Sequence, residues 1–255
     1  MNPRIGDWRG KRVWIIGAST GIGRATADAL HALGASVALS ARSAGKLEVM
    51  AGAQGRTLAL ALDVTDHASV MRASEAMLKA WGGVDLVLLV AGGYNEMRAD
   101  DFDLGAANAL IDLKLRGVFN CIDVALPQLL AQGAGGIGIV ASVAGYSGLP
   151  KALVYGPTKA ALINLAESLY LDLRPRGIAV YLINPGFVDT PLTAHNAFPM
   201  PALMTADDAA LALVEGIERG QFHIHFPRRF TNTLRLARLL PYRLYFWLVH
   251  KVTGL

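Results

Sequence analysis

The chain has 255 residues, of which 53% are hydrophobic and 17% charged, enough to bury a core and too apolar for a disordered chain. Its single cysteine, Cys121, cannot form an internal disulfide, and no Cys/His cluster suggests a metal, so Cys121 reads as a small core residue. The net charge of +4 is unevenly placed: Gln221–Leu255 holds six Lys/Arg and no Asp/Glu, whereas the preceding 220 residues hold 18 basic and 20 acidic side chains.

Met1–Gly10 lacks the apolar stretch of a secretory signal, and no apolar run approaches the ~20 residues that span a bilayer. A cytoplasmic protein is expected. Arg12–Gly17 reads as a buried strand, and Gly21–Leu33 as a helix with Ile22, Ala25, Ala29 and Leu33 at helical spacing. Ser36–Ala41 (strand), Ala44–Ala53 (helix), Thr57–Leu62 (strand) and Asp66–Trp81 (helix, capped by Asp66) continue the alternation. Val84–Ala91 is a near-continuous apolar strand of the type buried on both faces. A long helical region runs from about Asp101 to Gln132, with room for one break. Ile137–Ser142 and Ile178–Asn184 are strands on either side of a helix over Leu153–Leu173. Thr205–Arg219 is a further helix and Phe222–Phe226 a last short strand. This alternation predicts one doubly wound α/β domain with a parallel seven-stranded sheet over residues 1–227, followed by a C-terminal helical extension over 228–255.

The first strand runs into Gly17-Ala18-Ser19-Thr20-Gly21-Ile22-Gly23, which opens the first helix. Glycines let the backbone turn tightly and approach a pyrophosphate, and the helix N-terminus offers free N–H groups and a positive dipole end. The position between a first strand and a first helix points to a Rossmann-type dinucleotide site. The second strand ends Leu39-Ser40-Ala41-Arg42-Ser43. An acid at its end would bind a ribose 2′-hydroxyl. Ala41 followed by Arg42 instead suits a 2′-phosphate and favours NADP(H), with NAD(H) as the alternative.

The spacing is GxxxGxG, and here the chain resembles the classical short-chain dehydrogenase/reductase family. The resemblance extends from about Lys11 to Phe226. Tyr155-Gly156-Pro157-Thr158-Lys159 resembles the family's YxxxK, and residues four apart share a helix face. A cation beside Tyr155 is expected to lower its phenol pKa from ~10. Ser142 stands thirteen residues before Tyr155 at the end of a strand, the spacing the family uses. The resemblance implies that Ser142 polarises a substrate carbonyl, Tyr155 is the general acid/base, and Lys159 tunes Tyr155 and holds the nicotinamide ribose. It further implies cofactor contacts at Gly17, Ser19, Thr20, Gly21, Ile22, Gly23, Arg42, Asp63, Val64, Ala91 and Gly92, with Asp63 at the adenine amino group. Beyond Asn184, the Pro185-Gly186 turn, the Val188 backbone and the Thr190 hydroxyl would meet the nicotinamide. The implied reaction interconverts a hydrophobic ketone or aldehyde and its alcohol. A non-catalytic dinucleotide-binding sensor or scaffold and an NAD-dependent dehydrogenase are the competing readings.

Two departures stand out. Leu89-Val90-Ala91-Gly92 replaces the family's Asn-Asn-Ala-Gly, so backbone groups must be satisfied otherwise. Lys114 stands where the family has an Asn that holds a water in its proton relay, and an ammonium cannot accept a hydrogen bond. Lys114 could be solvated, pair with a carboxylate, or take over the relay in a partly neutral form.

Pro191–Met204 (PLTAHNAFPMPALM) is apolar and adaptable, which suits an apolar substrate, with His195 read as a loop residue. In the tail, Arg235 and Arg238 interleave with leucines before an aromatic run from Tyr242 to Trp247. That composition suits peripheral contact with an anionic membrane, packing against a partner subunit, or a flap over the substrate pocket. Nucleic acid is not an expected partner, because the charge is confined to one apolar-rich tail. The family resemblance implies a homodimer or homotetramer.

Overall fold

A computed structural model describes residues 1–255 apart from Gln54, His195, Ala197 and Leu255, so the reading of His195 lies outside the described residues. The apolar runs become seven parallel strands: β1 (Arg12–Ile16), β2 (Ser36–Ser40), β3 (Thr57–Ala59), β4 (Leu86–Leu89), β5 (Gly136–Val140), β6 (Ala179–Pro185) and β7 (His223–Phe226). Their order is β3-β2-β1-β4-β5-β6-β7, so the winding reverses between β1 and β4, where Ile16 lies opposite Leu89. Ligands bind at such a reversal, beyond the carboxyl ends of the strands.

Alternate residues of β1 feed opposite faces. Trp14 and Ile16 join the core under α3 (His67–Trp81), α5 (Gly117–Gln132) and α6 (Tyr155–Leu173). Val13 and Ile15 join the core under α1 (Gly21–Ala32), α2 (Ala44–Gly52) and α7 (Ala206–Glu218). Cys121 is buried in the first of these cores, and burial pushes its thiol up to about 12, as suits an inert core residue. Asp66 caps α3 by accepting from the Ala68 N–H at 3.0 Å, and Thr205 caps α7 by accepting from the Asp208 N–H at 3.0 Å.

Two expected strands are shorter as regular structure: Thr57–Leu62 is a strand only as far as Ala59, and Val84–Ala91 only over Leu86–Leu89, although single backbone bonds to the neighbouring strands continue beyond both. Apolar composition marks burial, whereas regular pairing ends where the chain turns into a loop. The helical region is α4 (Leu104–Ile111), a widened π turn over Asp112–Arg116, and α5. The widening shows in the Gly117 N–H, which donates to the Asp112 carbonyl five residues back. The extension forms α8 (Arg228–Ala237) and α9 (Tyr242–Thr253). Thr231 of α8 is fully buried, and Phe230 and Leu234 pack on the core beside β7.

Candidate active site

The loops after β1, β2, β3, β4, β5 and β6 converge on one cleft of about 340 Å³. Every residue singled out as a cofactor or reaction-centre candidate lines it, from Gly17 and Arg42 to Ser142, Tyr155, Lys159 and Thr190. The glycine turn fits its expected task. Gly17 has φ +103°, and a Cβ there would collide with the Ala91 backbone. A Cβ on Gly23 would collide with the Gly17 carbonyl. Thr20 precedes α1 without a side-chain cap, which leaves the first N–H groups of the helix to face the cleft. The loops are laced together by the strands: Gly17 and Ala18 N–H donate to the Ser40 carbonyl, and Val90 and Ala91 N–H both donate to Ile16 at 2.8 Å. The Val90 and Ala91 bonds show how the backbone is satisfied here without side-chain amides.

Arg42 is exposed at the rim, with Ala41 before it. Asp63 makes the turn that precedes α3, its Oδ1 accepting from the Thr65 N–H at 2.9 Å and hydroxyl at 2.8 Å. Those bonds, more than Arg42 nearby, hold its carboxyl below the usual range. Val64 is buried, and its carbonyl accepts from Asn120 of α5 at 2.8 Å.

Ser142 follows β5. Its Oγ accepts from the Ala144 N–H at 3.1 Å, and the side chain approaches Tyr155, the first residue of α6, closely enough to favour its phenolate. Lys159, one helical turn on, is buried and donates from Nζ to the Val140 carbonyl at 2.8 Å. Its Nζ lies 5.7 Å from the Tyr155 ring centroid. The expectation that a cation lowers the Tyr155 pKa is corrected. Burial raises it, and only the nearby Ser142 hydroxyl works the other way.

Lys114 adds a second buried amine beside this pair. It is 1% exposed, so the solvated reading fails, and no carboxylate pairs with it among the described residues. The π turn points it into the cleft beside Lys159, with Nζ 5.3 Å from the Tyr155 ring centroid. Burial lowers Lys114 to about 8, the neighbouring Lys159 amine opposing the shift. Burial and the charge of Lys114 together hold Lys159 well below its ordinary value. Two buried amines side by side cannot both keep a proton cheaply.

Three further features were missed in the sequence. Tyr94 packs edge-on against Tyr155 with centroids 5.1 Å apart, and burial pushes its phenol up to about 12. The Thr193 hydroxyl donates to the Val188 carbonyl at 2.6 Å and accepts from the Thr190 N–H at 3.2 Å, shaping the cleft wall after Pro185-Gly186. Behind the loops, His223 of β7 joins the Tyr146 hydroxyl (3.0 Å) and the Asn184 amide (2.9 Å), the segments that carry Ser142 and Pro185-Gly186. Burial, with His225 and Arg235 nearby, lowers His223 to about 4. Only the order of residues hinted at these contacts, because each depends on which loops meet.

Fold and cleft together define a dinucleotide-binding α/β enzyme. Residues 11–198 match the family profile described as short chain dehydrogenase, and the chain belongs to that family of oxidoreductases. A Myxococcus xanthus (strain DK1622) relative described as an uncharacterized oxidoreductase is 35% identical over 231 residues, covering 89% of this chain and 91% of its own. A Staphylococcus aureus (strain N315) relative described in the same words is 32% identical over 182 residues, 71% of this chain and 79% of its own. Among solved structures, a ribose-5-phosphate isomerase from Brucella melitensis 16M is similar at TM-score 0.78 and 28% identity, over 86% of this chain and 92% of that one. A gluconate 5-dehydrogenase from Burkholderia cenocepacia J2315, solved with NADP and tartrate, is similar at TM-score 0.80 and 24% identity, over 89% and 97%. The latter likeness is one of fold alone.

Proposed function

We propose that the protein is an NADP(H)-dependent oxidoreductase that interconverts a hydrophobic ketone or aldehyde and its alcohol. The observation that carries this reading is the meeting of Ser142, Tyr155 and buried Lys159 in the same cleft as the uncapped glycine turn. When bound, the dinucleotide supplies the hydride.

The residues present fit that group. The Gly17–Gly23 turn and the start of α1 would hold the pyrophosphate, and Arg42 the 2′-phosphate, since no acid stands at the end of β2 to favour a free hydroxyl. Asp63 and Val64 would flank the adenine, and Ala91, Gly92, Pro185, Gly186, Val188 and Thr190 the nicotinamide half.

The Ser142 hydroxyl donates to the substrate carbonyl and polarises it. Tyr155 Oη then gives its proton to that oxygen during reduction, and takes it back during oxidation. A phenol held protonated by burial is suited to the acid role. Burial and mutual repulsion disfavour the doubly charged Lys114–Lys159 pair, and a neutral amine of that pair can accept what an amide-held water would otherwise relay. The apolar residues of the 191–204 segment suit a hydrophobic substrate; Phe198 packs on Phe187 with centroids 6.0 Å apart. Exposed Phe119 on α5 and Leu171 on α6 fit the helix faces expected to meet another subunit in a homodimer or homotetramer.

Turnover with NADPH and a panel of hydrophobic ketones and aldehydes tests the reading. Activity that Tyr155→Phe removes is expected. Cofactor binding without turnover on any carbonyl would favour a sensor or scaffold, and tighter NADH than NADPH binding would sink the Arg42 argument.

A further inference from the structure

The residues after β7 line none of the cleft, yet they hold the chain's excess positive charge. α8 is fixed by buried Thr231, whose hydroxyl lies 2.7 Å from His225 Nδ1. α9 is held differently. Tyr245 is buried and its hydroxyl donates to the Gly148 carbonyl at 2.7 Å, with Leu248 and Val249 half-buried on the same face.

The opposite face of α9 is Arg243, Phe246, Trp247, His250 and Lys251, all exposed and spaced i, i+3, i+4, i+7, i+8. Phe246 and Trp247 are 60% and 58% exposed. Lys251 Nζ lies 4.9 Å from the Trp247 ring centroid, and Tyr242 stacks on Phe246 at 5.6 Å. The link before α9 adds Leu236 and Leu239, 67% and 78% exposed. A concentration of large apolar side chains on an open surface marks a contact site.

Charge selects the occupant. No Asp or Glu occurs from Gln221 onward, so the aromatic stripe is framed by cations alone and complements an anionic surface. Indole and phenyl rings with Arg and Lys beside them suit the headgroup layer of a bilayer, where rings sit at the boundary and cations reach phosphate. A second copy docked face to face would set Arg243 and Lys251 against their own counterparts, with no acid in either tail to neutralise them. Spanning is out of reach: among the described residues no helix is long and apolar enough to cross a membrane.

We propose that the outer face of α9, with the Leu236–Leu244 link, docks the protein onto the surface of anionic phospholipid bilayers. Phe246 and Trp247 enter the headgroup boundary, and Arg243 and Lys251 meet lipid phosphates. The proposal is independent of the reaction assigned to the cleft.

Sedimentation of the full-length protein with vesicles tests it, using phosphatidylcholine alone and phosphatidylcholine with one-quarter phosphatidylglycerol. Binding to the anionic vesicles, weakened by added salt, is expected. The double variant Arg243→Glu/Lys251→Glu should bind them at least about tenfold more weakly. Phe246→Ser/Trp247→Ser should also lose binding, and circular dichroism should show both variants folded. Absence of wild-type binding, or variants that bind as the wild type does, would overturn the proposal. So would a wild type that ignores vesicles while the same variants dissociate an oligomer in light scattering, which would give the face to a second copy.

Discussion

The chain places positive charge in two opposite settings. Lys114 and Lys159 are almost fully buried and face one another, whereas Arg243 and Lys251 stand on an open helix face among aromatic rings. Burial makes the doubly protonated inner pair costly, so its proton count responds to the site around it. Exposure leaves the outer pair hydrated and free of any desolvation cost, so it is open to an anionic surface. The same residue type is therefore suited to proton handling in one region and to adhesion in the other, and packing alone decides which.

Breaking the inner setting should give the largest effect. Tyr155→Phe removes the proposed proton donor, and is expected to lower kcat by about 10²–10⁴-fold. Tyr155→Phe at unchanged kcat would separate the buried pair from the chemistry.

The next effect is one of stability. Folding lowers the Lys114 pKa from 10.5 to about 8, so between those values the unfolded chain binds more protons than the folded one. Stability from this group is therefore complete above 10.5, falls as pH drops through the window, and leaves a cost of about 3 kcal/mol below 8. Lys114→Met should be more thermostable than the wild type at pH 7, with a flatter rise in Tm from pH 7 to 10. An unchanged pH dependence in that variant would show that the amine is hydrated when folded.

Arg42 sharpens the contrast, being an exposed cation assigned a ligand. Arg42→Ala should weaken NADPH binding by about ten- to a hundredfold, from the loss of charge-assisted hydrogen bonds, and leave NADH binding unchanged. Fluorescence titration measures both. His223 mirrors Lys114 on the acid side of the pH range. Its folded pKa of about 4 lies below the ordinary 6.5, so its contribution is present above 6.5 and is lost as pH falls towards 4. His223→Gln should flatten the acid side of the stability curve, measured by denaturant unfolding at pH 4.5 and 7.

Much of this was legible in the sequence because it depends on local order. Glycines at Gly17 and Gly23 answer to a turn and a close approach, both carried within seven residues. The interval from Ser142 to Tyr155 spans one strand end and one helix start, so it survives translation into space. Lys114 was legible as a departure but not in its direction. A 3.6-residue pattern assumes an even helix, and the π turn over Asp112–Arg116 breaks that assumption at the residue in question. The Tyr155 pKa was misjudged because spacing along a helix shows a neighbouring cation but not how deeply the phenol itself is buried. Tyr94 and His223 act across loops far apart in the chain, and no periodicity announces such a meeting. The tail's composition was plain, but that Tyr245 alone turns inward on α9, leaving its neighbours outward, needed the folded loop at Gly148.

The π turn has a consequence for how such a site can arise. A residue added to an even helix swings everything beyond it by about 100°, which would tear Val118, Cys121 and Ile122 of α5 from the core. A widened turn takes up the addition where it occurs and leaves both flanking helices in place. In hereditary terms, a point change at residue 114 alters the group aimed at the cleft while the scaffold stays as it was, whereas a codon deleted from the turn would move that aim.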